Sequence, residues 1–148
     1  VSGVSRAAVV AEARRWLGTP FHHQGRTRVV GCDCGGLVGG VAVALGIVPA
    51  DWWRDTFDAR WGGYGRQPAH GMLQQVCESF MARTDDAQPG DVLLMRFARE
   101  PQHVAIVGDH GGRSLIHAYE AIGRVIEHRL DPLWQRRTVQ AYRMPGVR

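Results

Sequence analysis

Near residue 88 the hydrophobic period of the chain changes. Before it, apolar residues recur every three to four positions. After it they fall into short runs separated by Gly or Asp/Pro turns. Ser5 can cap a first helix over residues 6–17, with Val9, Val10, Ala13, Trp16 and Leu17 on one face and a "GTP" stop at 18–20. Asp33 can cap a second helix over 34–45, burying Leu37, Val38, Val41, Ala42 and Leu45. A third spans 69–82 with Met72, Leu73, Val76, Cys77 and Phe80 inward, which makes Cys77 a core residue. Then "QPGD" turns the chain, and "DVLLMRF", "HVAIVG", "RSLIHAY", "RVIEHR" and "TVQAYR" read as consecutive strands. Helices first and strands afterwards predict an α+β domain with a largely antiparallel sheet. Between the second and third helices, the aromatic "ADWWRDTFDARWGGYGRQP" reads as an irregular excursion, and "FHHQGRTRVVGC" reads as loop.

The 148 residues suit one domain. No apolar run reaches the roughly 18 residues of a membrane span, and the charged N-terminus does not read as a signal peptide. A net charge of +4 favours anionic partners or simply a solvated arginine-rich surface. Nucleic acid is not expected, because no basic helix with interleaved aromatics is present. Three cysteines cannot complete a disulfide framework, and Cys32 and Cys34 lack the spacings of zinc or thioredoxin-like sites.

"VVGCDCGGLVGG" (29–40) concentrates the chemistry. If Asp33 is the cap, Cys34 is the first helical residue, beside free backbone N–H groups and the positive end of the helix dipole. That setting favours a thiolate of lowered pKa. Four glycines in one helix cost about 1 kcal/mol each against alanine, so close approach of a sheet or substrate is expected to compensate. Cys32 lies outside the helix, as a bystander or redox partner. A cysteine nucleophile needs a base. His22, His23, His70, His110 and His128 fall in loops or on exposed faces, whereas His103 and His117 lie in two strands of one hairpin. A three-residue loop, Asp109 to Gly111, would set His103 directly opposite His117. A two-residue offset would also keep them on one face.

"LGTPF", "GCDCGGLV", "QPGDVLLM", "QHVAIVGD" and "LIHA", in this order over about residues 9–119, resemble the NlpC-type cell-wall peptidases, a bacterial branch of the papain-like cysteine peptidases. "GTPFHHQ" with "YGRQP" looks closest to phage-tail and gene-transfer-agent members. The resemblance implies a papain-like α+β fold, with N-terminal helices including the cysteine helix packed on a five- to six-stranded, mainly antiparallel sheet. It implies Cys34 as nucleophile, His103 as base and His117 as the residue that orients it, without metal or organic cofactor. The implied substrate is a peptidoglycan stem peptide, cut between γ-D-glutamate and the diamino acid. Phe21 stands where many members carry a tyrosine whose hydroxyl reaches the site. His22 or His23 can substitute, or the backbone N–H of Cys34 serves the oxyanion with one other donor. Asp33, Gly35, Tyr64 and Arg66 complete the expected substrate-facing set. Arg26 and Arg28 are further candidates for substrate carboxylates. The resemblance also implies a protein made in the cytoplasm, carried by a tail and its proteins, and acting on the periplasmic wall. An amidase, transpeptidase or acyltransferase on the same scaffold, or a non-catalytic wall-binding module, are the alternatives.

Overall fold

The computed structural model describes residues 3–62, 64–65 and 70–148. Helix α1 (Arg6–Arg14) starts where Ser5 Oγ accepts from the Ala8 N–H. It ends three residues earlier than expected. Trp16 and Leu17 bond back three residues, to Ala13 and Arg14. This tightened turn keeps Trp16 buried and rotates Leu17 outward, where it is 43% exposed rather than buried. The segment expected as loop contains a two-stranded ladder, β1 (Arg26–Thr27) with β2 (Gly31–Cys32).

Helix α2 (Cys34–Ala44) begins at Asp33, which is extended and accepts from the Gly36 N–H at 2.7 Å. Gly36, Gly39 and Gly40 answer close neighbours outside the six-stranded sheet, while Gly35 faces the cavity described below. A Cβ at Gly36 would lie 1.9 Å from the Gly25 carbonyl oxygen, and one at Gly40 would lie 2.3 Å from the Trp16 ring. The aromatic excursion is helical: a π-helical stretch, Trp53–Asp58, runs into α3 (Ala59–Trp61). Trp53, Phe57 and Trp61 recur at four-residue spacing, and their rings touch in sequence at 5.2 and 5.6 Å. Helix α4 (Met72–Phe80) is shorter than the expected 69–82. Position 69 lies outside the described residues, and Ala82 already opens a strand.

Six antiparallel strands form the sheet, in the order β3-β8-β4-β5-β6-β7. They are β3 (Ala82–Thr84), β4 (Val92–Arg96), β5 (Pro101–Gly108), β6 (Ser114–Tyr119), β7 (Arg124–Arg129) and β8 (Thr138–Arg143). Between β7 and β8 the expected Asp/Pro turn is a short helix, α5 (Pro132–Arg137), capped by Asp131 with proline at its first position. Strand alternation divides the core. Val92, Leu94, Val104, Ile106, Ile116 and Ala118 pack with Leu37 and Val41 of α2. Leu93, Met95, Ala105, Val107 and Leu115 face Trp134 of α5.

The β5–β6 register pairs Gly108 with Ser114 and Ile106 with Ile116. The loop is therefore Asp109 to Arg113, two residues longer than expected. His103 and His117 sit diagonally across the hairpin rather than directly opposite, and the even offset keeps them on one face.

Candidate active site

Cys34 occupies the first position of α2, half-buried at a cavity of about 210 Å³. The β5–β6 ladder is registered only from Ile106 onward. Val104 lies beyond its end, and its backbone N–H points at the Cys34 sulfur, as do those of Gly35 and Cys34 itself. These donors favour a thiolate, as the helix start predicts. Burial outweighs them, however, and the neighbouring Asp33 carboxylate adds to it, so the thiol is pushed up to about 12. Burial and the Asp33 carboxylate thus oppose the expected lowering and favour the thiol. Asp33 is held on both oxygens. Oδ1 caps Gly36, and Oδ2 accepts from the Gln24 N–H at 3.0 Å and the Tyr64 hydroxyl at 2.5 Å.

His103 lines the same cavity and is 4% exposed; His117 is wholly buried. His103 Nε2 lies 2.6 Å from His117 Nδ1. Burial, then the charges of Arg137 and His128, push His103 down to about 3. Burial also lowers His117. Both rings are therefore neutral. They stand on the α5 face of the sheet, not the α2 face. The cysteine helix therefore packs against the sheet face opposite the one that carries both histidines. Cys34 and His103 line one cavity, at the end of β5 where no pairing with β6 is registered. Tyr119 stacks on His117 at 5.3 Å, and Trp134 meets it edge-on at 5.1 Å.

His128 was expected to be exposed and without a role. It is half-buried on β7, and its Nε2 lies 2.8 Å from His117 Nε2. The signal was available: β6 and β7 pair His117 with Ile126, which puts His128 on the same face two residues on.

The remaining candidates separate. Phe21, His23, Gly35 and Tyr64 line the cavity with Cys34. His23 stands edge-on to the Tyr64 ring at 5.4 Å. His22 is exposed and does not line the cavity; its Nδ1–H donates to the His23 carbonyl. Arg26 is paired with Asp58 at 2.6 Å and stacked on Trp53 at 4.1 Å, so it is not free for a substrate carboxylate. Arg28 is exposed. Arg66 lies outside the described residues. Cys32 is a buried core thiol and free of disulfide, pushed up to about 12 chiefly by burial. Cys77 is buried core, as expected, and forms part of the cavity wall. Among the described residues no three His, Cys, Asp or Glu side chains are grouped to hold a metal ion.

A cysteine mounted on a helix start, over an antiparallel sheet that carries a histidine pair, defines a class of α+β domains built around a thiol. The profile of the NlpC/P60 family matches residues 18–143, and the chain belongs to that family. Similar solved structures share the fold. The NlpC/p60 domain of the peptidoglycan hydrolase SagA is 24% identical, with 95% of this chain and 100% of that chain covered and a TM-score of 0.61. An NlpC/P60 family protein from Bacillus cereus ATCC 10987 is 18% identical, covering 97% of this chain but 41% of that one, with a TM-score of 0.67. An N-acetylmuramoyl-L-alanine amidase from Bacteroides uniformis ATCC 8492 is 12% identical, covering 94% and 98%, with a TM-score of 0.59. The chain thus spans the whole of the first domain and less than half of the Bacillus cereus protein. No curated protein matches it.

Proposed function

We propose that the protein is a cysteine hydrolase of peptidoglycan stem peptides, cutting the bond between γ-D-glutamate and the diamino acid. One observation carries the thiol chemistry: Cys34, with backbone N–H groups at its sulfur, shares a cavity with His103, whose Nε2 is held by His117. The substrate class comes from the family assignment and from the sequence wording that resembles cell-wall peptidases.

The sulfur and the imidazole are both neutral at rest, so the thiolate forms by proton transfer as the carbonyl arrives. His103 takes the Cys34 proton while sulfur bonds to the carbonyl carbon. The oxyanion accepts from the Cys34 backbone N–H. The protonated His103 then gives its proton to the leaving amine as the C–N bond breaks. Water, deprotonated by His103, releases the acyl group and restores the thiol. Phe21 brings no hydroxyl, and an absent oxyanion donor costs about 3 kcal/mol of barrier. Delivery by a tail tip to the periplasmic wall belongs to the same proposal. It predicts that the chain co-sediments with purified tail particles.

A second reading is favoured by the cavity wall. Trp52, Phe57, Leu73, Val76 and Phe80 give it an apolar side, and the nearby Arg26 is already paired. Such a wall suits an acyl donor with an apolar portion, as in an amidase or acyltransferase. Digestion of diaminopimelate-type peptidoglycan by wild type, Cys34→Ala and Cys32→Ala, read by mass spectrometry, separates the two. The proposal expects the same cut fragments from wild type and Cys32→Ala, and none from Cys34→Ala. Intact muropeptides, with Cys34 still labelled by an alkylating probe, would move the assignment to the second reading.

A further inference from the structure

The histidine pair does not end at His117. The Nδ1 of His128 lies 2.9 Å from the backbone carbonyl oxygen of Arg129. A carbonyl oxygen only accepts, so that nitrogen carries the hydrogen, and Nε2 of the neutral ring carries the lone pair. His117 Nε2, 2.8 Å away, must therefore donate. Neutral His117 then has its lone pair on Nδ1, which accepts from His103 Nε2–H across 2.6 Å. One ring nitrogen is left over: Nδ1 of His103, with a lone pair and no hydrogen. It is the atom that can take the Cys34 proton.

We infer that His128 is a positioning residue: together with the Arg129 carbonyl it fixes the tautomer of His117, and through it keeps Nδ1 of His103 basic. The inference rests on the hydrolase reading for its catalytic consequence, but not for the tautomers themselves. The direction of the chain is set at its outer end because the inner rings are symmetric as partners. An imidazole donates from one nitrogen and accepts at the other, so only a group that cannot do both breaks the tie. His117, between the other two rings, has no solvent-exposed surface.

The same logic runs in reverse. A proton added to His128 makes its Nε2 a donor. His117 must then accept at Nε2 and donate from Nδ1, and His103 accepts at Nε2 and carries its hydrogen on Nδ1. The base is then occupied. The groups facing this chain of rings are His103 from β5, His117 and Tyr119 from β6, and Arg137 beside Trp134 from α5.

Long-range proton–nitrogen NMR of the full chain labelled with ¹⁵N-histidine reads which nitrogen of each ring is protonated and needs no substrate. Wild type should show Nε2–H on both His103 and His117. In His128→Gln the amide oxygen can still accept from His117, so both tautomers and kcat within about threefold should be kept. In His128→Leu the acceptor is gone, mixed tautomers should appear at His117 and His103, and kcat should fall about tenfold to a hundredfold with KM unchanged. Nδ1–H on wild-type His103, or unchanged tautomers and kcat in His128→Leu, overturns the inference. Wild type that cleaves no muropeptide yet shows both Nε2–H tautomers, lost only in His128→Leu, supports the inference while overturning the hydrolase reading.

Discussion

The two faces of the sheet are built differently. One is covered by α1, α2 and α4 and is apolar at its centre, with Leu37, Val41, Val104, Ile106 and Ile116. The other is covered mainly by α5, whose Trp134 roofs a small patch that contains three linked imidazoles. The thick face packs against the helix that carries Cys34. The thin face carries His103, the base of the proposed reaction. Ring nitrogens need hydrogen-bond partners when buried, and a thinly covered edge near β7 lets them find one at a backbone carbonyl. The lesson is that the thiol and imidazole come from opposite sides of one sheet. They share a cavity beyond the point where the registered β5–β6 pairing stops.

The division predicts that stability and activity can be perturbed separately. Leu37→Ala, on the thick face, should cost about 3 kcal/mol in urea unfolding. The surviving folded protein should keep the wild-type pH profile. A changed profile at full stability would break the comparison.

Stability should also depend on acid through the thin face. His103 is held near 3 in the folded protein against an ordinary 6.5. The unfolded chain therefore binds its proton first as pH falls below 6.5, and stability drops by about 1.4 kcal/mol per pH unit until the folded value is reached. The Cys34 thiol works oppositely, because the unfolded chain loses its proton above the ordinary 9.0 while the folded protein holds it to about 12. Melting temperature should plateau between about pH 6.5 and 9 and fall on either side. His103→Gln should make the acid side shallower, with buried His117 keeping part of it, and Cys34→Ala should do the same on the basic side, where Cys32 and Cys77 remain. Unchanged limbs would mean that these groups are solvated.

Trp134→Phe keeps an aromatic roof but leaves more space over His117 and His128. Less than about 1.5 kcal/mol of stability should be lost, while kcat falls about tenfold, measured on muropeptides. Equal losses of both would show that the roof is ordinary core. The smallest effect concerns the start of α2. Tyr64→Phe removes one donor to Asp33 and should cost about 1 kcal/mol by urea titration, since the Gln24 and Gly36 N–H groups still hold that carboxylate.

Much of the site is legible in local spacing. Asp33 before Cys34 is a cap and a first helical residue in any fold that contains that helix, because the unsatisfied N–H groups belong to the helix itself. His103 and His117 share a face because a strand alternates with period two, and the true hairpin offset differs from the direct pairing by an even number. The helical content around Trp53, Phe57 and Trp61 was also present as a four-residue spacing, hidden by flanking glycines and prolines. So was α5, behind an Asp131–Pro132 pair that reads equally as a turn. Arg66, outside the described residues, adds nothing to this comparison.

What the sequence determined by itself was therefore the set of periodic elements, their caps and the pairing of two histidines. All of these follow from interactions within a few residues or across one hairpin. Tertiary structure decided the rest. It chose which face of the sheet the histidines occupy, recruited His128 from the next hairpin and committed Arg26 to Asp58. It also set burial against the thiolate that the helix start favours. Helix N–H groups act on the sulfur locally, but the burial that overrides them exists only after distant segments have closed over Cys34. Desolvation is a property of the assembled surroundings, not of the residues beside it in the chain.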